Sequence, residues 1–269
     1  MRTRRYIFCM TAAPALLIAL IGRGPVTLRY IYKPGQSLLY TFTDSSSSVT
    51  RIDGRPEVTE YKQTGTGTLK KSIISVSGGE GVVDETPVRG SSERTDARGT
   101  TTQLTSPVTR RYTFTTLGRV LHAERIVPGG PPDATPQPFD GFSFTLPEKP
   151  VSPGATWAET LRAIGLDGKP IMVKAASTLR GEAMRAGHHA DQIDVVFSST
   201  FISIAAGATT PVTGSLRGTT TYYLARDLGQ EAESRSEVTI VLKGTTTVDG
   251  KPRAVARTLH LAQTRTLAK

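Results

Sequence analysis

Residues 237–262, EVTIVLKGTTTVDGKPRAVARTLHLA, contain the pattern that decides the fold. Apolar side chains recur in phase with a two-residue period on both sides of a central turn: Val238, Ile240, Leu242, Val255, Leu259 and Leu261. This period is typical of half-buried β-strands, and Asp-Gly supplies the positive φ that a tight hairpin turn needs. The stretch therefore predicts a long β-hairpin with its tip at Asp249-Gly250.

The turn sequence of this hairpin occurs three times in the chain. The copies are Asp53-Gly54-Arg55-Pro56, Asp167-Gly168-Lys169-Pro170 and Asp249-Gly250-Lys251-Pro252. Each copy lies between β-favouring segments, and Pro is tolerated where a strand begins because no ladder hydrogen bond is needed there. We predict that all three are hairpin tips.

Longer correspondences link the two halves of the chain. Residues 33–38, KPGQSL, are similar to residues 152–157, SPGATW, and residues 111–114 are similar to residues 221–224. We interpret them as two diverged copies of one β-unit, over residues 24–126 and 141–269, joined by the Pro/Gly-dense linker 127–140. The alternative is that Pro-Gly and Asp-Gly turns recur by chance in a Thr-rich β-protein.

Composition also favours strands. The 269 residues include 39 Thr, no Asn and one Cys, and β-branched side chains suit a pleated strand better than a helix. The best helical window, Thr178–Arg185, is interrupted by Gly181. We predict an all-β fold in which two related antiparallel β-units form a long curved sheet, a sandwich or a half-barrel. Residues 88–108 are predicted to be a loop.

The N-terminus has the features of an export signal. Residues 1–6, MRTRRY, are basic, and Ile7–Ile21 form an uncharged, mostly apolar run. A signal peptide over residues 1–23 is predicted, with an uncleaved N-terminal anchor as the alternative. We expect an exported protein that is periplasmic, in the cell envelope or extracellular. Removing this leader would lower the net charge from +10 to +6 and remove Cys9.

Sequence motifs of common enzyme classes are missing. The chain contains no G-x-S-x-G, S-x-x-K, H-E-x-x-H or P-loop motif, so no catalytic residue and no cofactor is predicted. The densest metal-capable cluster is His188, His189 and Asp191. In a strand, His189 and Asp191 would share a face and could hold one ion. A polar hairpin turn is the favoured interpretation, and a metal site at these three residues is the alternative.

Cations and aromatic rings are mixed at residues 110–114, RRYTF, as in some nucleic-acid-binding surfaces. Export argues against a nucleic-acid partner, and strand alternation would place Arg111 on the face opposite Tyr112 and Phe114. The positive charge of the chain suits anionic lipid head groups or an acidic wall polymer. Trp157, the one tryptophan, is predicted to be a core anchor at the start of a strand.

A Pro/Gly turn followed by a strand opens each half of the chain. The residues are Lys33-Pro34-Gly35 with Leu38 and Tyr40, and Leu146-Pro147 with Val151-Ser152-Pro153-Gly154 and Trp157. In this the chain resembles a class of uncharacterised exported bacterial β-proteins. The resemblance implies export and β-architecture, and it carries over no activity and no catalytic residue.

These observations lead to three functional hypotheses. The first is an exported, non-enzymatic β-protein that binds an apolar or amphiphilic ligand or acts as an envelope interaction module. The second is an exported hydrolase or metal-dependent enzyme centred on His188, His189 and Asp191. The third is a cell-wall or glycan adhesion module. The partners expected are a lipid, another amphiphile or a cell-wall polymer, and the sequence indicates no oligomeric state.

Overall fold

The structure is a computed structural model that describes residues 24–105, 107–127, 129–130, 133, 143–164, 169–203 and 210–268. The described residues form twelve strands: β1 (Ser37–Ile52), β2 (Val58–Ser77), β3 (Glu80–Asp96), β4 (Gly99–Leu104), β5 (Thr109–Thr115), β6 (Val120–Ile126), β7 (Thr156–Ile164), β8 (Pro170–Arg185), β9 (His188–Ser203), β10 (Val212–Ala225), β11 (Gln230–Val248) and β12 (Lys251–Leu267). The all-β prediction is confirmed. No helix in the described ranges could span a membrane.

All twelve strands belong to one antiparallel sheet. Its order is β6-β5-β3-β2-β1-β12-β11-β10-β9-β8-β7, and β4 pairs with the second half of β3. The first and last strands meet at its centre, where Tyr40 of β1 is paired with Leu267 of β12. Within the described ranges, the edge strands β6 and β7 are not paired with each other. Of the predicted arrangements, the long curved sheet is the observed one.

The alternation in the sequence matches the two faces of the sheet. We call the face that carries the main core the inner face and the other the outer face. The buried side chains of the inner face on β7 to β11 include Leu161, Val173, Leu179, Ile193, Val195, Phe197, Phe201, Leu216 and Ile240. Val196, one residue from Phe197, is 60% exposed on the outer face. Burying one face of such long strands requires the sheet to curl around its own core.

Three phenylalanines on the inner face lie opposite glycines of the neighbouring strand. The pairs are Phe42 with Gly67, Phe197 with Gly218, and Phe201 with Gly214. A Cβ atom added to Gly218 would lie 2.5 Å from the ring of Phe197 and 2.4 Å from the carbonyl of Glu237. Each ring therefore lies over a glycine backbone, which lets the sheet bend tightly while the ring covers the missing side chain.

Two segments outside the strands cover part of the inner face at one end of the sheet. Val26 and Val151 exchange backbone hydrogen bonds of 2.8 and 2.9 Å, and Leu146 N donates to Leu117 O at 2.8 Å. Leu28 and Leu146 are buried in the main core. Tyr30 N donates to Thr116 O at 2.8 Å, in the turn between β5 and β6. The segments 24–36 and 143–155 thus bring side chains from outside the sheet into its interior.

The two predicted Asp-Gly hairpin tips that lie within the described residues are confirmed. Asp53-Gly54 joins β1 to β2, and Asp249-Gly250 joins β11 to β12 with φ values of 51° and 73°. Asp167-Gly168, most of the linker 127–140 and the leader 1–23 lie outside the described residues. The strands β1 to β6 fall within the first predicted unit and β7 to β12 within the second. The duplication itself stays a prediction.

The predicted loop over residues 88–108 was wrong for most of its length. β3 continues to Asp96 and forms a hairpin with β4, with Ser91 paired to Leu104 and Asp96 to Gly99. Every residue of β4 is exposed. A strand without a buried face has no alternation of apolar and polar residues, so its sequence resembles that of a polar loop.

Candidate functional site

The curled sheet holds a cavity of about 660 Å³ against its inner face. Its walls come from β2, β3, β5 and β6 on one side, from β7 to β12 on the other, and from segments 30–32 and 143–146. Small-molecule sites usually have volumes of roughly 300–1,000 Å³. The cavity is therefore large enough for a small organic ligand.

One wall of the cavity is aromatic and aliphatic. It includes Phe114, Phe144, Trp157, Ile193 and Val195. The Phe144 ring packs against that of Phe197, with centroids 5.3 Å apart, and Trp157 Nε1 donates to Thr145 O at 2.9 Å. These contacts fix the rings in place, so the wall is a preformed apolar surface.

The rest of the lining includes a charged group, which we call the charged wall. Its members are Lys71 of β2, Glu85 of β3, Arg110 of β5, Glu231 of β11 and Arg265 of β12. Arg265 Nη1 lies 3.2 Å from Glu85 Oε1, and both side chains are largely buried. Burial works to lower the pKa of Arg265, but Glu85 and Glu231 outweigh it and raise that pKa above its ordinary value. The guanidinium is therefore a permanent cation in this wall.

Lys71 is another cation of the charged wall, and its charge is less well compensated than that of Arg265. Only 8% of the residue is exposed, and its Nζ lies 5.9 Å from the ring centre of Tyr30 and 6.0 Å from that of Phe114. It forms no hydrogen bond or ion pair with any residue in the described ranges. Burial lowers its pKa, against the attraction of Glu85 and Glu231. An ammonium that lies beside two ring faces, and has no direct carboxylate contact among the described residues, can accept an anionic partner at low desolvation cost.

Sequence reasoning missed this site, although each strand carries a signal of it. Lys71 is in phase with the apolar residues Leu69 and Ile73 of β2. In the same way Glu85 follows Val83 by two positions, and Arg265 precedes Leu267 by two. A charged residue in phase with buried apolar neighbours points into the protein, where it needs a partner.

The cluster predicted as a metal alternative lies elsewhere and does not converge. His188 Nδ1 is 2.8 Å from Asp227 Oδ2, and His189 is paired with Glu182. The Asp191 carboxylate accepts hydrogen bonds from Arg226 Nη2 and from Arg226 Nε, the latter at 2.9 Å. Within the described part of the chain, no three His, Cys, Asp or Glu side chains are placed to hold a metal ion. Each of the three residues instead belongs to an ion-pair network beside the β8–β9 turn.

Arg226→Ala should lower the free energy of unfolding by about 2–3 kcal/mol, because it leaves the Asp191 carboxylate buried and unpaired. The Asp191 side chain is only 5% exposed. The matched control is Arg180→Ala, since Arg180 pairs with Asp194 at 2.7 Å and both side chains are partly in solvent. That change should cost less than about 1 kcal/mol. Urea denaturation measures both, and equal losses would contradict a special role for burial at Asp191.

Two other predictions are confirmed by the positions of their residues. Arg111 faces away from the cavity and binds Asp84 through two hydrogen bonds of 2.7 and 2.9 Å. Tyr112 and Phe114 lie on the inner face with ring centroids 5.5 Å apart. Trp157 is the second residue of β7 and packs against the core, as expected for an anchor, and it also lines the cavity.

No protein-family model and no curated protein sequence matches the chain. Among solved structures, lipovitellin from a study of its lipid–protein interactions aligns with a TM-score of 0.46 and 11% identity, over 89% of this chain and 26% of that one. The chain thus spans about a quarter of lipovitellin. Pseudomonas aeruginosa OccK5 (OpdH) aligns with a TM-score of 0.28 and 8% identity over 87% of this chain and 99% of its own. Salmonella typhi OmpF, in complex with daunomycin, aligns with a TM-score of 0.25 and 9% identity over 88% of this chain and 100% of its own. At these TM-scores the likeness assigns neither a family nor a function.

Proposed function

We propose that this protein is an exported, non-enzymatic binding protein whose inner cavity holds an amphiphilic small molecule. The anionic head group of the ligand would contact Lys71, and its apolar part would pack against Phe144, Trp157 and Ile193. The observation that carries the proposal is the position of Lys71. This buried cation has no hydrogen-bond or ion-pair partner among the described residues, and it lies at the border between the charged wall and the apolar wall.

The two walls match the two parts of an amphiphile. A hydrogen bond to a charged group contributes about 1.5–3 kcal/mol, so a carboxylate or phosphate at Lys71 would offset the burial of its ammonium. Each methylene moved from water onto the apolar wall contributes about 0.8 kcal/mol. A fully apolar ligand or a cationic one would leave the Lys71 ammonium without an anionic partner.

Export fits such a role. The predicted leader at residues 1–23 would deliver the protein to a compartment beside membranes, where single-chain amphiphiles and released lipids occur. The predicted location is the periplasm, the cell envelope or the extracellular space. A hydrolase or metal enzyme at His188, His189 and Asp191 is not favoured, because each of these side chains already has its own partner.

Trp157 makes the proposal directly measurable, because the one tryptophan of the chain lies in the cavity wall. Titration with dodecanoate, below its critical micelle concentration, should change the Trp157 emission and saturate with a Kd of order 1–10 µM. Dodecanol should bind more weakly, and dodecyltrimethylammonium weakest of all. Native mass spectrometry should find one dodecanoate per chain.

Lys71→Met should weaken dodecanoate binding about tenfold, which corresponds to the loss of one charge-assisted contact. It should leave dodecanol binding within about twofold. Lys70→Met is the matched control, since Lys70 is the neighbouring lysine of β2 and is exposed on the outer face. It should bind every ligand as the unaltered protein does. The proposal fails if no amphiphile binds, or if Lys71→Met and Lys70→Met bind dodecanoate equally well.

A further inference from the structure

A groove crosses the outer face of the sheet at right angles to the strands. Two depressions of about 740 and 550 Å³ form it. They share Val196, Phe197 and Ser198 of β9, so together they run from β7 across the centre of the sheet to β2. The backbone of the strands forms the floor, and two rows of outward-facing side chains form the rims.

One rim carries a basic side chain on every second strand. In strand order its residues are Thr160, Lys174, Ser198, Arg217, Thr239, His260, Ser47 and Lys62, each directly paired in register with the next. Lys174, Arg217, His260 and Lys62 therefore alternate with hydroxyl side chains. Neighbouring strands lie about 4.8 Å apart, so the basic positions repeat every ~10 Å over ~29 Å.

These cations are available to a ligand. Lys174, Arg217 and Lys62 are exposed, and none forms an ion pair or hydrogen bond with another residue in the described ranges. His260 Nδ1 lies 3.2 Å from Thr239 Oγ1, which leaves its other ring nitrogen uncommitted. Carboxylates on the neighbouring strands would normally stabilise such basic side chains. Here the directly paired neighbours carry neutral hydroxyl groups instead.

The opposite rim is small and nearly neutral. Its residues are Ala158, Ala176, Val196, Thr219, Glu237, Ala262, Ser45 and Thr64. Glu237 is the acidic member of this rim. Glu159 also borders the groove, but its carboxylate accepts a hydrogen bond of 2.8 Å from Thr145 N on the inner face. The groove thus has small, mostly uncharged side chains along one rim and basic side chains along the other.

We propose that this groove binds a linear acidic polysaccharide with one carboxylate per disaccharide, lying across the strands. The spacing of the cationic positions suits an extended chain that carries one charge for every two sugars. The alternating Ser198, Thr239 and Ser47 hydroxyls would bond to sugar hydroxyls between the charged units. Double-stranded DNA, with a charge every 3.4 Å along each strand, has about a third of that spacing.

The groove and the cavity lie on opposite faces of one sheet and share no cation. Lys71 and Arg265 point inward, whereas Lys62, Lys174 and Arg217 point outward. Binding of a polysaccharide is therefore separate from binding of an amphiphile, and either can fail without the other. Together they would hold an amphiphile-binding protein at an acidic polymer of the cell surface.

The test uses hyaluronan oligosaccharides, which carry one carboxylate per disaccharide, with neutral dextran and a short DNA duplex for comparison. The full chain should bind hyaluronan, should not bind dextran, and should bind the duplex more weakly. Higher salt should weaken hyaluronan binding, since exposed ionic contacts are screened. The triple variant Lys62→Gln, Lys174→Gln, Arg217→Gln should bind hyaluronan about tenfold more weakly, the combined effect of three modest surface contacts.

A matched control separates the groove from general attraction by net charge. The triple variant Lys33→Gln, Lys149→Gln, Lys251→Gln removes three exposed lysines outside the groove, with the same change in charge. It should lose less than about twofold in affinity. Ala176→Trp, which would fill the groove without changing its charge, should weaken binding as well. Equal losses in the two triple variants, tighter binding of the duplex, or no binding of hyaluronan would each overturn the proposal.

Discussion

Raising the pH from about 10 to about 11 should lower the free energy of unfolding by about 4 kcal/mol. Four tyrosines cause the effect, namely Tyr30, Tyr32, Tyr40 and Tyr222, and burial raises the pKa of each above its ordinary value of 10. Tyr40 also donates to Glu231 O at 2.9 Å, and Tyr32 to Thr115 O at 3.2 Å. In the unfolded chain these phenols would ionise near pH 10, whereas in the folded protein they keep their protons.

The sign follows from proton uptake. Above pH 10 the folded state binds more protons than the unfolded state. The stabilisation from the buried tyrosines is therefore fully present well below pH 10, and the free energy of unfolding falls as the pH rises above it. Each tyrosine lowers the free energy of unfolding by about 1 kcal/mol between pH 10 and pH 11, and by about 1.4 kcal/mol per pH unit well above pH 10. Urea denaturation at several pH values measures the loss, and absorbance at 295 nm counts phenolates. Full ionisation of all eight tyrosines near pH 10 with an intact β-sheet spectrum would contradict the prediction.

Phe197→Ala should lower the free energy of unfolding by about 3–5 kcal/mol, the usual range for removing a buried aromatic ring. Phe197 is 2% exposed, packs against Phe144 and covers the backbone of Gly218. Its removal would leave a cavity and also expose the glycine over which the sheet bends. Loss of the Phe144 contact should in addition loosen the apolar wall of the ligand cavity.

Val196→Ala is the matched control for this change. Val196 is adjacent in sequence and 60% exposed on the outer face, so its truncation should change stability by no more than about 0.5 kcal/mol. Urea denaturation of both variants, with dodecanoate titration of the folded protein, tests the two effects together. Similar stability for Phe197→Ala and Val196→Ala would mean that the inner face is not a close-packed core.

Local sequence pattern was sufficient for much of the fold. Alternation placed Ile193, Val195 and Phe197 on one face, and the structure buries all three. The Asp-Gly pairs at 53–54 and 249–250 form hairpin tips because the positive φ of such a turn is a property of these residues themselves. Pattern failed at residues 99–104, where a strand with no buried face has no alternation to detect.

The candidate site could not be predicted in the same way. Lys71, Glu85 and Arg265 are far apart in sequence, and Arg265 meets Glu85 because β12 joins the sheet beside β1 and the sheet then curls. The basic rim of the outer groove likewise depends on the register of seven strand pairings. A shift of one residue in any pairing would move its side chain to the other face.

The amino-acid sequence by itself therefore determined the all-β class, the strand faces and the described Asp-Gly hairpin tips, because these depend on neighbours within a few residues. Tertiary structure alone decided which strands are adjacent, how far the sheet curls, and which charged groups meet. Those outcomes depend on pairing between distant segments and on burial of the inner face of the whole sheet at once. The cavity with Lys71 and the groove with Lys174 and Arg217 both arise at that level.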